Sequence, residues 1–139
     1  MRMWTIFLVF FSAPCIAESY LCTSQEETGF SYSPKTGSWE QKVFRGNQFL
    51  LKPLEQEDHN DGEEYGVYET GKGTLLFHCQ YWFADIGVAH CGNENYYHFK
   101  FGRTSDDRGK FISADLGVQY LAGNQASAPR IGIGECIKL

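Results

Sequence analysis

The chain has 139 residues, which is enough for one domain and too few for two well-packed cores. Its formal net charge is −5, and aromatic residues make up 16% of the sequence. An acidic surface repels phosphate backbones, so the charge argues against nucleic acid as a partner. The aromatic content suits a folded β-rich domain and excludes a disordered chain.

The N-terminal segment 1–17 has the pattern of a secretory signal peptide. Arg2 supplies a positive charge, residues 4–11 are almost wholly apolar, and Ala17 is a small residue before a predicted cut at Glu18. The apolar run is far shorter than the ~20 residues that a membrane span requires. We therefore expect an exported chain, periplasmic or secreted, without a membrane span.

Two alternatives to simple cleavage are an uncleaved anchor and a lipoprotein acylated at Cys15. Pro14 disfavours acylation, because proline fixes φ directly before the cysteine. Cleavage leaves a single mature domain at 18–139. Its charge is −6, since Arg2 leaves with the signal peptide.

Four cysteines remain in the predicted mature chain, and an even number in an exported protein indicates disulfides. They are Cys22, Cys79, Cys91 and Cys136. Three pairings are possible. The strand pattern favours Cys79–Cys91 and Cys22–Cys136.

Short strands separated by turn signals recur along the chain, and no segment has a sustained helical period. The strand segments are 20–22, 30–32, 39–44, 48–52, 65–70, 74–83, 87–92, 96–101, 111–121 and 131–138. Residues 33–37, 71–73 and 104–109 predict turns, and the acidic segment 55–64 predicts an exposed loop in preference to a short helix. The pattern predicts an all-β domain: a single antiparallel meander that closes into a small barrel or a two-sheet sandwich.

The clearest hairpin joins 74–83 to 87–92. When it is centred on Asp85, Cys79 lies opposite Cys91, where cross-strand side chains are ~5 Å apart. The other two cysteines lie on the first and last strands. Closure of the sheet brings those two edges together, so their disulfide would pin the seam.

The sharpest chemical pattern is a histidine directly before each of Cys79 and Cys91. Both residue types bind zinc, but adjacent residues of a strand point to opposite faces. His78 and His90 are then diagonal neighbours on one face, where they are weak candidates for a metal together with His98 or an acid. Two disulfide-bonded cysteines and two surface histidines fit an oxidising compartment better. We expect no cofactor.

Three further patterns favour structural roles. The acidic run 55–64 lacks the ligand spacing of a calcium loop. The aromatic and basic residues of 96–103 resemble an RNA-binding strand, but alternate aromatics on an acidic chain favour a core face. Gly132 and Gly134 lack the third glycine of a dinucleotide loop, and predict a last strand thinned beside a large neighbour.

Residues spread over nearly the whole predicted mature chain carry a resemblance to a known group. They are Cys22, Thr28, Gly29, Phe30, Ser31, Tyr32, Thr36, Trp39, Phe77, His78, Cys79, Gly87, Cys91, Phe99, Lys100, Phe101, Gly134, Glu135 and Cys136. At these positions the chain resembles a family of uncharacterised small exported bacterial proteins with a four-cysteine framework. The resemblance implies one domain and that framework, and it transfers no activity.

The sequence contains none of the common catalytic motifs, so the leading hypothesis is a binding or inhibitory β-module. Its partner would be a protein or small ligand of the cell envelope or the extracellular space. The candidate contact residues are His78, Trp82, His90 and Tyr96, with an acidic loop suited to a basic cleft such as that of a cell-wall hydrolase. The alternatives are a metal-dependent or hydrolytic enzyme using His78 and His90, and a structural envelope component.

Overall fold

The computed structural model describes residues 18–58, 64–83, 88–93, 97–105, 107–116 and 128–139. These residues form nine strands and one 3-10 turn. The strands are β1 (Tyr20–Ser33), β2 (Ser38–Val43), β3 (Gln48–Pro53), β4 (Tyr65–Glu69), β5 (Leu75–Phe83), β6 (Val88–Asn93), β7 (Tyr97–Arg103), β8 (Arg108–Asp115) and β9 (Arg130–Lys138), and the turn is Gln56–Asp58.

The strands form an antiparallel sheet that closes into an eight-stranded barrel. Strand β1 makes closure possible, because its 14 residues are long enough to serve three partners. One edge of β1 pairs with β9 along most of its length, and the other edge pairs first with β3 and then with β2. The β1–β2 hairpin therefore extends beyond the barrel wall. The structure confirms the all-β barrel and not the two-sheet sandwich.

Both predicted disulfides are present. Cys79 and Cys91 lie directly opposite each other on β5 and β6. Cys22 and Cys136 lie opposite each other where β1 meets β9, so this bond crosslinks the seam of the barrel.

The barrel interior is filled by side chains, which alternate inward along each strand. The buried set includes Tyr20, Cys22, Phe49, Leu51, Val67, Cys79, Ala89, Cys91, Phe99, Phe101, Phe111 and Cys136. Stacked and edge-to-face contacts join the rings of Phe49, Phe99 and Phe111, with centroids 5.0–5.8 Å apart. The prediction that the aromatics of β7 form a core face is confirmed at Phe99 and Phe101.

Glycines of β9 make room for these rings. A Cβ atom at Gly134 would lie 2.5 Å from Cε1 of Phe111 and 2.2 Å from the carbonyl oxygen of Thr23. No real Cβ makes contacts this short, so the strand could not lie so close to both neighbours with a larger residue. The predicted thinning of the last strand is confirmed.

A short segment after β3 covers the outside of the barrel wall. Leu54 is buried, and the hydroxyl of Tyr68 donates a hydrogen bond of 3.0 Å to the Asp58 carboxylate. The ammonium of Lys52 lies over the ring of Tyr68 and pairs with Glu55. The start of the predicted acidic loop is therefore a 3-10 turn that packs on the wall.

The largest differences from the predicted strands are in β1 and β8. The predicted segments 20–22 and 30–32 belong to the single strand β1. Strand β8 begins at Arg108, inside a segment predicted as a turn, and ends at Asp115 rather than at residue 121. Pairing with β9 extends its start, because Arg108 lies opposite Ile137. The predicted signal peptide 1–17 and the end of the predicted strand, 117–121, lie outside the described residues. No helix in the described ranges is long and apolar enough to cross a bilayer.

Candidate functional site

One end of the barrel, which we call the Glu27 end, has a polar cluster inside its rim. The register of β1 against β9 shifts between Ser24 and Glu26. This irregularity turns Glu27 toward the interior opposite Gly132, and the residue is only 5% exposed. A Cβ at Gly132 would lie 3.6 Å from Cγ of Glu27, which is an ordinary contact, and 2.9 Å from Oγ of Ser113, so the glycine leaves space for the Ser113 side chain.

Arg130, the first residue of β9, pairs with this buried acid. Its guanidinium donates a hydrogen bond of 3.1 Å to Oε1 of Glu27, and the amide of Asn47 donates one of 3.4 Å to Oε2. Nε of Arg130 lies 4.0 Å from the Asp115 carboxylate, and its guanidinium carbon lies 5.2 Å from the centre of the Phe44 ring. That Nε is buried and makes no hydrogen bond within the described part of the chain. The guanidinium thus joins two acids and an aromatic ring at the rim.

Two stacked aromatic rings lie beside the polar cluster. The rings of Phe77 on β5 and Tyr97 on β7 are 4.6 Å apart at an interplanar angle of 20°. Burial raises the pKa of the Tyr97 phenol, the positive charge of Arg130 opposes the shift, and the Asp115 and Glu27 carboxylates add to it. The phenol therefore lies within electrostatic reach of the ionic cluster and stays protonated at neutral pH.

An open cleft of about 660 Å³ lies over these rings. Its apolar wall is formed by Phe49, Leu76, Phe77 and Tyr97. Its polar rim is formed by Thr23, Arg45, Asn47, Gln48, Glu69 and Thr70. The lining therefore combines aromatic side chains with polar groups, and polar groups of this kind fix the orientation of a ligand in small-molecule sites.

The opposite end, which we call the Tyr20 end, is covered by ion pairs. Glu18 accepts hydrogen bonds from Lys138 at 2.7 Å, from Tyr20 at 2.8 Å and from Arg103 at 3.1 Å. The hydrogen bond from Lys138 lowers the pKa of the Glu18 carboxyl, and Tyr20 and Arg103 also lower it. The same hydrogen bond raises the pKa of Lys138. These contacts tie the two termini of the described chain together across the seam.

The two predicted histidines make different contacts in the structure. The Nε2 atom of His78 lies 3.1 Å from the carbonyl oxygen of Asp58, in the segment that covers the wall. The ring of His90 stacks on His98 at 5.8 Å. Burial lowers the pKa of His90, and the positive charges of Lys100 and His98 lower it further. His90 is therefore grouped with a histidine of β7, while His78 contacts a backbone carbonyl.

The other predicted contact residues are less fully described. Trp82 lies opposite Ala89, because a bulge between Cys79 and Tyr81 shifts the register of the hairpin by one residue. The side chain of Trp82 and the whole of Tyr96 lie outside the described residues, as does the turn at Asp85. Within the described ranges, no three His, Cys, Asp or Glu side chains are grouped closely enough to bind a metal ion.

Sequence reasoning missed the polar cluster at the Glu27 end. Glu27 follows another glutamate in a strand, and either could face inward until the register is known. Asn47 and Arg130 lie in or beside loops, and nothing in the sequence groups them with Glu27. The one usable signal was Tyr97, which alternation places on the same face as Phe99 and Phe101.

Comparison with protein-family models, with curated proteins and with solved structures gives no match to this chain.

Proposed function

We propose that this protein is a non-catalytic binding module that takes a small ligand at the Glu27 end of its barrel. The observation that carries the proposal is the cleft of about 660 Å³ over the stacked rings of Phe77 and Tyr97, with the Glu27–Arg130 pair beside it. The proposal keeps the binding-module function that we expected from the sequence. It places the binding site at the Glu27 end rather than on the face that carries His78 and His90.

The filled core supports a site at the end of the barrel rather than inside it. Rings of β3, β7 and β8 occupy the centre of the barrel, so a ligand cannot be enclosed there as it is in a wide barrel. The Tyr20 end is covered by the contacts of Glu18. The Glu27 end has both an apolar wall and polar groups facing an open cleft, and it is the end that suits a ligand.

The lining favours a flat or ring-shaped polar molecule. The partly buried, stacked rings of Phe77 and Tyr97 provide an apolar platform at the floor of the cleft. The side chains of Asn47 and Gln48 supply amide donors and acceptors, while Arg45 and Glu69 offer one charge of each sign. A sugar ring or an aromatic zwitterion has matching chemistry, and a long aliphatic chain does not.

Two disulfides are typical of proteins that fold in an oxidising compartment. Together with the signal-peptide pattern of 1–17, they support a periplasmic or secreted location, which we include in the proposal. The ligand would then be a small molecule of the cell envelope or the surrounding medium.

The test is a screen of defined compounds against the oxidised protein. Monosaccharides, disaccharides, aromatic amino acids and nucleosides are added singly, and the melting temperature and amide NMR shifts are recorded. We expect at least one class to raise the melting temperature and to shift amides of 45–49, 69–70 and 76–77.

Phe77→Ala should abolish that response. Tyr32→Ala is the matched control, because Tyr32 packs edge-on against Trp39 in the β1–β2 hairpin, away from the cleft. If no compound class produces a shift, or if the shifts persist in Phe77→Ala, the proposed site is wrong.

A further inference from the structure

The exposed large apolar side chains of the described chain are confined to one side of the barrel. They are Phe30, Val43, Ile112, Leu116, Ile131, Ile133, Ile137 and Leu139. All eight belong to β1, β2, β8 and β9 or directly follow one of them, and these strands are neighbours in the sheet. A concentration of exposed apolar side chains on one side of a small protein is typical of an interaction surface.

The centre of this face is a cross-strand pair of isoleucines. Ile112 on β8 lies directly opposite Ile133 on β9, and each is about half exposed. On the β7 side, Lys100 lies opposite Ile112, and on the β1 side, Glu26 lies opposite Ile133. The row therefore reads basic, apolar, apolar, acidic across four neighbouring strands.

The two adjacent rows have different compositions, and one of them adds a second charged pair. One row away, Lys110 on β8 lies opposite Glu135 on β9. One row in the other direction, Ala114 on β8 lies opposite Ile131 on β9. The Lys110–Glu135 pair thus has its base on the β8 side and its acid on the β9 side, the same polarity as Lys100 and Glu26 on either side of the isoleucine pair.

We propose that this face binds a second copy of the same chain, in a two-fold dimer whose axis runs parallel to the strands between β8 and β9. A rotation about that axis exchanges the two sides of the boundary. Ile112 of one copy then faces Ile133 of the other, Lys110 faces Glu135, and Lys100 faces Glu26. The interface is complementary to itself in both charge and apolar character.

The surface relief fits this arrangement. Two open clefts of about 450 Å³ border Ile133, one toward Lys110 and Ile112 and the other toward Val43 and Ile131. They provide recesses into which the isoleucines of the second copy can insert. A membrane surface suits the face less well, because Glu26 and Glu135 offset the attraction of Lys100 and Lys110 to anionic lipid.

Charge reversal tests the proposal without removing any apolar side chain. Lys110→Glu places two acids opposite each other at the axis in both halves of the dimer, and Glu135→Lys places two bases there. We expect the wild-type protein to dimerise reversibly in a dilution series followed by sedimentation velocity. Each variant alone should be monomeric.

An equimolar mixture of the two variants should restore dimers. In the mixed dimer, position 110 of each copy faces position 135 of the other, and both of these contacts again join an acid to a base. Native mass spectrometry of one isotope-labelled variant shows whether the dimers contain one chain of each kind. The mixture also proves that both variants are folded, because unfolded chains would not form a specific heterodimer.

Lys35→Glu is the control, since Lys35 lies in the exposed turn between β1 and β2 and its substitution reverses the same charge away from the face. This variant should dimerise like the wild type. The proposal is overturned by a wild-type protein that stays monomeric at every concentration. It is also overturned if the single variants still dimerise, or if mixing them produces no heterodimer while circular dichroism shows that both are folded.

Discussion

Glu27 and Arg130 are 103 residues apart in the sequence, yet their side chains meet at 3.1 Å inside the rim of the barrel. The pair forms because β1 and β9 close the sheet and because the irregularity in β1 turns Glu27 inward. Burying a carboxylate is costly unless it is paired and hydrogen-bonded. Arg130 and Asn47 together provide that compensation.

Removing the arginine from this pair should destabilise the fold. Arg130→Met leaves the buried Glu27 charge without its cation, at a cost of about 2 kcal/mol. This is below the range for fully buried pairs, because Arg130 is one third exposed. Urea unfolding at neutral pH measures the change.

The double variant Glu27→Gln with Arg130→Met should recover part of that loss, since no unpaired charge stays buried. Arg103→Met is the matched comparison, because Arg103 is equally exposed and pairs with the more accessible Glu18. Arg103→Met should lower the free energy of unfolding by less than about 1 kcal/mol. If Arg130→Met and Arg103→Met lower the free energy of unfolding by the same amount, the burial of Glu27 does not make its pairing more important than that of Glu18.

The two disulfides should differ in their contribution to stability. Cys22–Cys136 closes a loop with a sequence separation of 114, whereas Cys79–Cys91 has a separation of 12. In the chain-entropy model, the seam disulfide contributes roughly 5 kcal/mol and the hairpin disulfide about 3 kcal/mol. Paired cysteine-to-alanine variants, unfolded in urea, should show the larger loss at the seam. A larger loss of stability on removing the hairpin disulfide would show that restriction of the unfolded chain is not the main way in which these disulfides stabilise the fold.

An added methyl group should distinguish two outwardly similar glycines. Gly134→Ala would force its Cβ against the Phe111 ring and the Thr23 carbonyl, so we expect a loss of about 3 kcal/mol or more. At Gly102, the nearest atom to such a Cβ is a methyl carbon of Val88 at 3.9 Å, which is an ordinary contact. Gly102→Ala should change the melting temperature little. Similar melting temperatures for both variants would be inconsistent with the close approach of β9 to Phe111.

The Glu18 cluster predicts a loss of stability in acid. The pKa of Glu18 is lowered in the folded state by Lys138, so its contribution is present above the pKa of the unfolded chain. That contribution is lost as the pH falls through the folded-state pKa. Glu18→Gln should therefore melt at a lower temperature than the wild type at neutral pH, and the two curves should converge in acid. Parallel curves at all pH values would show that the cluster does not contribute through ionisation.

The cysteine pairing could be predicted from the sequence. The surroundings of the two histidines could be predicted only in part. Alternation and the short loop place Cys79 opposite Cys91 by local rules, and the structure has that pairing. The bulge that follows is not encoded by alternation, and it changes the partner of Trp82. His78 is occupied by a segment that folds back onto the wall, which is a long-range contact that the sequence pattern does not contain.

By itself, the sequence determined the all-β class, most of the strands, the two disulfides and the aromatic core face of β7. These depend on alternation and turn residues, which act over a few neighbouring positions. Only the tertiary structure decided that Glu27 rather than Glu26 faces the interior, and that it meets Arg130. One extra residue in β1 inverts every side chain beyond it, and the position of that residue depends on pairing with a strand more than a hundred residues away.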